Sequence, residues 1–581
     1  EYSVPNPLWN AHLNNYDVQD QFGFTNNFIL EWFATNDLRA RAKFGISKNS
    51  STAEVRLSPQ HSDFDEMSET EKGLYTNAQT KNLNYEGDIS ATYGHLFAGK
   101  HMVNAVAGFN FSTKENSKNG YKAIGFTEDE FDAPSFTNSY PAGSKPTYTE
   151  SKTRAASFYI NGGYAYDNRY LFDFNYRSDG TSVFGTNNRF RNTWSVGLGW
   201  NIHAEKFMEN CDFFQLLKLR GSVGNPGNQN FASYQAFSTY AFTHWMSNIF
   251  GTGVILEGLG NPDLAWQETI NYSLGTDVTM FNERVNLTVD LYRKKTDPLV
   301  AAITTPSSIG VKSVMMNMGQ LKTDGIEVTL KVSPIYRPQD RFVWNISLNG
   351  THAKSKYSKI GNRLQSMNEQ NQANLNTTRY YDGGSPTDIW AVRSAGIDPA
   401  TGQDLFIKKD GTYTFTYDKN DEVVVGNTEP KLEGVLGTTL YYKGLSFGCY
   451  LRYRLGGQVF NNALYEKVEN IDREGINYNQ DKRALYDRWS TPGQEAKFKR
   501  ISLFQTTETS SRFVMDENTL SGESFNIGYE FTQPFIKHIG LSTLTVQANM
   551  NDIFRVSSVK SERGIDYPFA RTMSFSISAT F

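Results

Sequence analysis

A chain of 581 residues with 57 Lys and Arg against 61 Asp and Glu, a net charge of −4 and two cysteines offers nucleic acid no basic surface. Cys211 and Cys449 stand too far apart in sequence to suggest a disulfide or metal framework and read as ordinary thiols. Mean hydropathy is −0.53 and no run of about 18 apolar residues occurs, which excludes a membrane-spanning helix but not barrel strands, since those are only half apolar.

Taken in chain order, Glu1-Tyr2-Ser3-Val4-Pro5-Asn6-Pro7 lacks the basic and apolar regions of a leader, and an exported protein needs one upstream. The first expected strand lies near Asn26–Ala34, with residues 1–25 in a surface loop. Strict alternation follows in Phe172, Phe174 and Tyr176, in Val285 to Leu291, in Trp344, Ile346 and Leu348, and in Leu544 to Met550. It ends on Met573, Phe575, Ile577, Ala579 and Phe581, interleaved with Thr572, Ser574, Ser576, Ser578 and Thr580. Successive strand side chains point to opposite faces, so each segment is oily on one side and polar on the other. The aromatic Phe581 marks the strand whose pairing is expected to complete assembly. Aromatic content of 14% fits girdles at two membrane interfaces, though β-sandwiches also favour such residues.

The connections alternate in length. Thr35-Asn36-Asp37, Ala98-Gly99-Lys100, Asp167-Asn168-Arg169, Asn282-Glu283 and Lys443-Gly444 read as tight turns. Between them lie irregular polar stretches over 48–82, 114–150, 225–266, 297–321, 355–433 and 456–521. Tight turns at one rim and long loops at the other describe an all-β chain, a large antiparallel transmembrane β-barrel portion over 1–581, with about 17 strands. An odd count implies that a further segment completes the sheet.

Several segments resemble one family. They are Asn175-Tyr176-Arg177-Ser178-Asp179-Gly180, Trp194 to Trp200, Leu217 to Gln229 around Gly224-Asn225-Pro226-Gly227, Asn261-Pro262-Asp263-Leu264, Asp290-Leu291-Tyr292-Arg293-Lys294-Lys295 and Met318 to Glu327. In order, from about Pro5 to Phe581, they are similar to the SusC/RagA class of TonB-dependent outer-membrane transporters. The resemblance implies a 22-stranded barrel with a plug, of which this chain would hold the C-terminal strands. It also implies a SusD-like lipoprotein lid, coupling to the TonB complex through a plug segment outside this chain, outer-membrane lipid around the wall, and a glycan or peptide substrate. Before Gly426-Asn427-Thr428-Glu429-Pro430, only Asp418, Asn420, Asp421 and Glu422 remain of the acidic stretch seen in relatives, and the EF-hand spacing is not met. No metal or other cofactor is expected.

Gly-x-Ser-x-Gly, His-Glu-x-x-His and P-loop motifs are absent, and we expect no enzyme. Trp245, Trp266, Tyr380, Tyr381 and Trp390 are the candidates for substrate contact, because aromatic faces stack on sugar rings and peptide groups. For any one of them taken singly, packing its own loop is the favoured reading. Arg177, Arg189 and Arg220 could set the polarity of the lumen or brace its wall with ion pairs. The expected function is TonB-dependent import across the bacterial outer membrane. A passive porin or a surface-binding barrel is the alternative, followed by a soluble chain of β-sandwiches.

Overall fold

The computed structural model describes residues 7–183, 189–226, 237–249, 251–265, 267–471, 480–502, 506–531, 536, 538, 540–560 and 572–581. Strands β1 (Tyr16–Phe33), β2 (Leu38–Leu57), β3 (Leu74–Phe97), β4 (His101–Ile124), β5 (Thr147–Tyr166), β6 (Tyr170–Thr181), β7 (Phe190–Asn201) and β8 (Phe214–Asn225) come first. They are followed by β9 (Thr239–Asn248), β10 (Gly251–Gly258), β11 (Thr269–Met280), β12 (Val285–Thr296), β13 (Leu299–Thr304), β14 (Ser313–Met318), β15 (Gln320–Arg337) and β16 (Phe342–Ser358). The last are β17 (Asp388–Ile397), β18 (Asp404–Ile407), β19 (Tyr413–Thr414), β20 (Glu422–Asn427), β21 (Leu432–Tyr442), β22 (Leu445–Phe460), β23 (Val514–Phe531), β24 (Thr543–Asn551), β25 (Arg555–Ser557) and β26 (Thr572–Thr580).

Two compact units divide the chain, one of Glu1–Ala165, Asp173–Trp194 and Gln229–Trp266, the other of Tyr166–Phe172, Ser195–Asn228 and Gln267–Phe581. In the first, β1 to β4 form an antiparallel meander with unbroken register from Tyr16↔Arg56 to Phe97↔His101. Phe28, Phe44, Gly87 and Phe111 share one face, as do Leu30, Ala42, Ile89 and Phe109. The opposite face is polar and carries the Arg41–Glu31 and Lys43–Glu86 ion pairs at 3.5 and 2.8 Å.

β3 and β4 each run for 24 residues, where a bilayer needs only about 9–11 per strand. The excess is rich in Asn, Thr, Lys and Ser, with Leu, Tyr and Ala scattered over both faces, so it carries no regular alternation for a sequence reading to find. For that reason the expected long loops are shorter than read. The stretch 48–82 contracts to 58–73, and 114–150 to 125–146. The first strand likewise begins at Tyr16 rather than Asn26, within residues assigned to a loop. Backbone pairing extends these strands without help from an apolar face.

In the second unit the ladder runs β8–β11–β12–β15–β16–β21–β22–β23–β24–β26, antiparallel throughout. One row across six strands reads Val278, Leu287, Leu330, Leu348, Leu436 and Leu451. The row offset by one residue reads Asp277, Thr288, Thr329 and Asn349 on the other face. All five expected tight turns connect sequential strands. Their left-handed positions fall on Ala98, Gly99, Asp167, Asn168, Asn282, Glu283, Lys443 and Gly444, where Gly, Asn and Asp tolerate positive φ best.

Candidate ligand-contacting loop assembly

Few ladder side chains are buried, because both faces of the sheet are open. In the second unit, buried apolar residues gather instead in the long connections, where the chain builds small cores. Leu464, Val468, Ala484, Phe498 and Phe513 form one cluster, and Met318, Ile360 and Leu364 another. The connection read as loop 355–433 contains a helix, Gln365–Ala373, and a four-stranded sheet of order β19–β18–β17–β20. β17 is central, and its Ile389, Ala391 and Val392 are almost wholly buried.

Charges lock this assembly. Arg379 and Glu422, with side chains 2% and 6% exposed, form a two-pronged pair at 2.7–3.2 Å. Arg379 also donates to the Thr378 carbonyl at 2.8 Å. Arg512 reaches Asp404 at 2.8 Å and Glu469 at 2.9 Å, so one guanidinium joins β18 to the 461–513 connection. The Thr507 hydroxyl donates to Glu469 at 2.8 Å, and the Ser394 hydroxyl to Asp404 at 2.5 Å. Paired charges of this kind are tolerated out of water only when their remaining hydrogen bonds are met. Burial pushes the Tyr465 hydroxyl up to about 12, and it donates to the Thr507 carbonyl at 2.7 Å.

The acidic remnant before the Gly-Asn-x-x-Pro segment is occupied by the chain itself. The Asp418 carboxylate accepts from the Asn420 amide, Asp421 from the Lys409 amide, and Glu422 pairs with Arg379. Asn427 ties the motif together. It donates to Asp388 at 2.7 Å and accepts from the Glu429 amide at 2.8 Å and the Thr387 hydroxyl at 3.0 Å. A side chain at Gly426 would meet Val514 and Gln458 within 3 Å, which explains the glycine.

Of the five aromatic candidates, the structure brings two together. Tyr381, 45% exposed, lies 5.2 Å from Trp390 between ring centroids, at an interplanar angle of 47°. Trp390 is held by β17 and by its backbone amide, which donates to the Thr377 carbonyl at 2.8 Å. Tyr380 packs a loop. Its ring meets Tyr357 edge-on at 5.9 Å, and the buried Asn368 side chain clasps its backbone at 2.8 and 2.9 Å. Trp266 and the side chain of Trp245 lie outside the described residues.

Two of the three arginines brace the wall. Arg177 bonds Asp179 at 2.6 Å and Ser157 at 2.9 Å. Arg220 bridges Asp277 at 3.0 Å and Asp290 at 2.6 Å. Arg189 is exposed, and its carbonyl accepts from the Thr181 amide at 3.1 Å.

Sequence reasoning missed two charged clefts in the second unit. One, of about 670 Å³, is lined by His352, Lys354, Lys356, Asp388, Glu429 and Asp516. The other, of about 560 Å³, is lined by Arg452, Arg454, Arg555, Glu433 and Glu523. In the latter Arg452 pairs with Glu523 at 2.8 Å, and Arg454 and Arg555 share Glu517 at 3.5 and 3.1 Å. The register makes Thr351, Glu433 and Arg454 cross-strand partners, a relation that separations of about 80 and 20 residues in sequence hide.

Comparison with known proteins places this geometry. The family profile described as TonB dependent receptor-like, beta-barrel matches residues 2–463. A TonB-dependent receptor of Formosa agariphila is 25% identical over 91% of this chain and 57% of its own length. The TonB-dependent receptor SusC of Bacteroides thetaiotaomicron is 25% identical over 73% of this chain and 43% of its own. Among solved structures, the RagAB peptide importer in its open-open state superposes with a TM-score of 0.84 at 21% identity, covering 98% of this chain and 62% of that one. The chain thus spans roughly 60% of the length of the first relatives it matches.

Proposed function

Because the chain belongs to the TonB-dependent receptor-like β-barrel family, we propose that it supplies the wall and outer loops of an energised importer of peptides or oligosaccharides in the outer membrane. The observation that carries this reading is the ring pair of exposed Tyr381 and half-buried Trp390, mounted on a sheet that Arg379–Glu422 and Arg512–Asp404–Glu469 hold rigid. Rings held in place stack on a sugar or peptide plane with little entropy left to lose. The charged cleft lined by Arg452, Arg454 and Glu433 lies on the polar face of the ladder, where a solute on its way inward meets alternating signs of charge.

A SusD-like lipoprotein closes over the loops in this reading, and a plug segment outside this chain receives the pull of the TonB complex. The similarity to SusC and to the RagAB importer supports both. Uptake of labelled peptide and oligosaccharide pools, measured in cells carrying the full-length transporter with and without TonB, tests the proposal. Loss of uptake without TonB, and a several-fold loss on Tyr381→Ala with Trp390→Ala, are expected. Uptake that persists without TonB assigns the chain to passive diffusion instead.

A further inference from the structure

The polar face of the second unit sorts its charges by strand. One row across it reads Asp290, Glu327, Thr351, Glu433 and Arg454. The next row toward the tight turns reads Asn349, Val435, Arg452, Ser521 and Arg555. Carboxylates therefore stand on β15 and β21, and guanidinium groups on β22 and β25. The cleft of about 560 Å³ opens where the two meet, at the end of β21 nearest the long connections.

These charges are not used up by one another. Glu523 takes the Nε of Arg452 at 2.8 Å, yet the arginine side chain stays 63% exposed. Glu517 is shared between Arg454 at 3.5 Å and Arg555 at 3.1 Å. Arg454 donates to the Thr428 carbonyl at 2.6 Å. Its contact with Glu433 is loose, at 3.8 Å from Nε, and leaves that carboxylate 48% exposed. Ion pairs this exposed are weak, so an incoming carboxylate can replace Glu523 on Arg452 at small loss, and an incoming ammonium meets Glu433. Asp552 lines the cleft as well, so its charge is nearly balanced. A balanced cleft with the two signs on different strands suits neither a plain anion nor a plain cation, but a ligand that carries both.

We propose that this cleft binds the two ends of a short peptide, its carboxylate on Arg452 and its ammonium on Glu433. This rests on the importer reading above and narrows its substrate from peptides or oligosaccharides to peptides. Glu433 and Arg452 are diagonal neighbours on adjacent strands, with backbones roughly 7–8 Å apart. An extended chain advances about 3.3–3.6 Å per residue, so two or three residues bridge them. Arg555, across Ser521 from Arg452, adds a second guanidinium at the carboxylate end. Each end then forms hydrogen bonds in which both partners are charged, which a neutral sugar cannot do.

Calorimetric titration of the purified full-length transporter tests this, with trialanine, N-acetyl-trialanine, trialanine amide and maltotriose as probes. Trialanine is expected to bind, each singly capped form about tenfold more weakly, and maltotriose more weakly still. Arg452→Gln should weaken trialanine and its acetylated form by that same factor and leave the amide unchanged, since the amide has no carboxylate to lose. Glu433→Gln should weaken trialanine and the amide and leave the acetylated form unchanged. Arg452→Lys should restore the response to amidation. Absence of trialanine binding, equal binding of capped and free peptides, or maltotriose binding as tightly as trialanine overturns the proposal. So does Arg452→Gln weakening every probe alike, which makes the arginine a brace for the wall. The importer reading fails separately, when labelled substrates still enter cells that lack TonB.

Discussion

At the scale of single residues, the loop assembly depends on charges that water cannot reach. Removing one partner of Arg379–Glu422 leaves the other buried and uncompensated, at a cost of about 3–5 kcal/mol. Arg379→Gln is expected to raise hydrogen exchange across β17 and β20 while β12, β15 and β16 keep their protection. Glu429 behaves differently. Burial holds its carboxyl above the usual carboxylate range, against the Ser355 amide and the His352 and Lys354 charges that pull it down, while Glu433 adds to the rise. A raised folded-state pKa penalises the charged form in the fold, so the penalty is present above that pKa and fades as pH falls through it. Glu429→Gln should therefore melt higher than the natural protein at neutral pH. The two should converge as pH drops to the ordinary glutamate value; a gap that widens in acid counts against the assignment.

At the scale of elements, alternation and ladder pairing do separate jobs. β26 pairs with β24 from Thr543↔Thr580 to Asn551↔Thr572, and its Met573, Phe575 and Ile577 continue the row of Met550, Ala548 and Val546. Placing Lys at Ile577 sets a charge on the apolar face, costing about 2–4 kcal/mol if the position lies near mid-bilayer. Deleting Phe581 removes the aromatic that follows this strand. Both changes are expected to lower the fraction of heat-resistant folded barrel in a gel-shift assay, and Ile577→Lys more than Ser576→Lys on the polar face. Equal yields for the two lysine variants would refute the assignment of faces.

At the scale of the whole molecule, short turns and long connections are expected on opposite sides of the membrane. In a background with Cys211 and Cys449 replaced, a cysteine at Tyr413, 66% exposed in the sheet of the long connection, should react with an impermeant reagent on intact cells. One at Asn168, in the β5–β6 turn, should react only after lysis. The reverse pattern would invert the topology.

The sequence by itself determined the all-β class, the five tight turns and the apolar face of the strands that alternate strictly, such as β12, β16, β24 and β26. Each rests on local physics: period-two alternation, and residues that accept a positive φ. It understated strand length, because where both faces are wet the pairing continues without a pattern, as in the upper halves of β3 and β4. Only the tertiary structure decided which aromatics meet. Neighbours in sequence, Tyr380 is spent on Tyr357 while Tyr381 joins Trp390, since the fold turns one inward and the other out. It also decided that Glu422 is a buried anion paired with Arg379, and that Lys295, Lys322 and Lys356 form one row. Such contacts join residues tens of positions apart, and their register is set by a whole ladder of backbone hydrogen bonds rather than by any segment read alone.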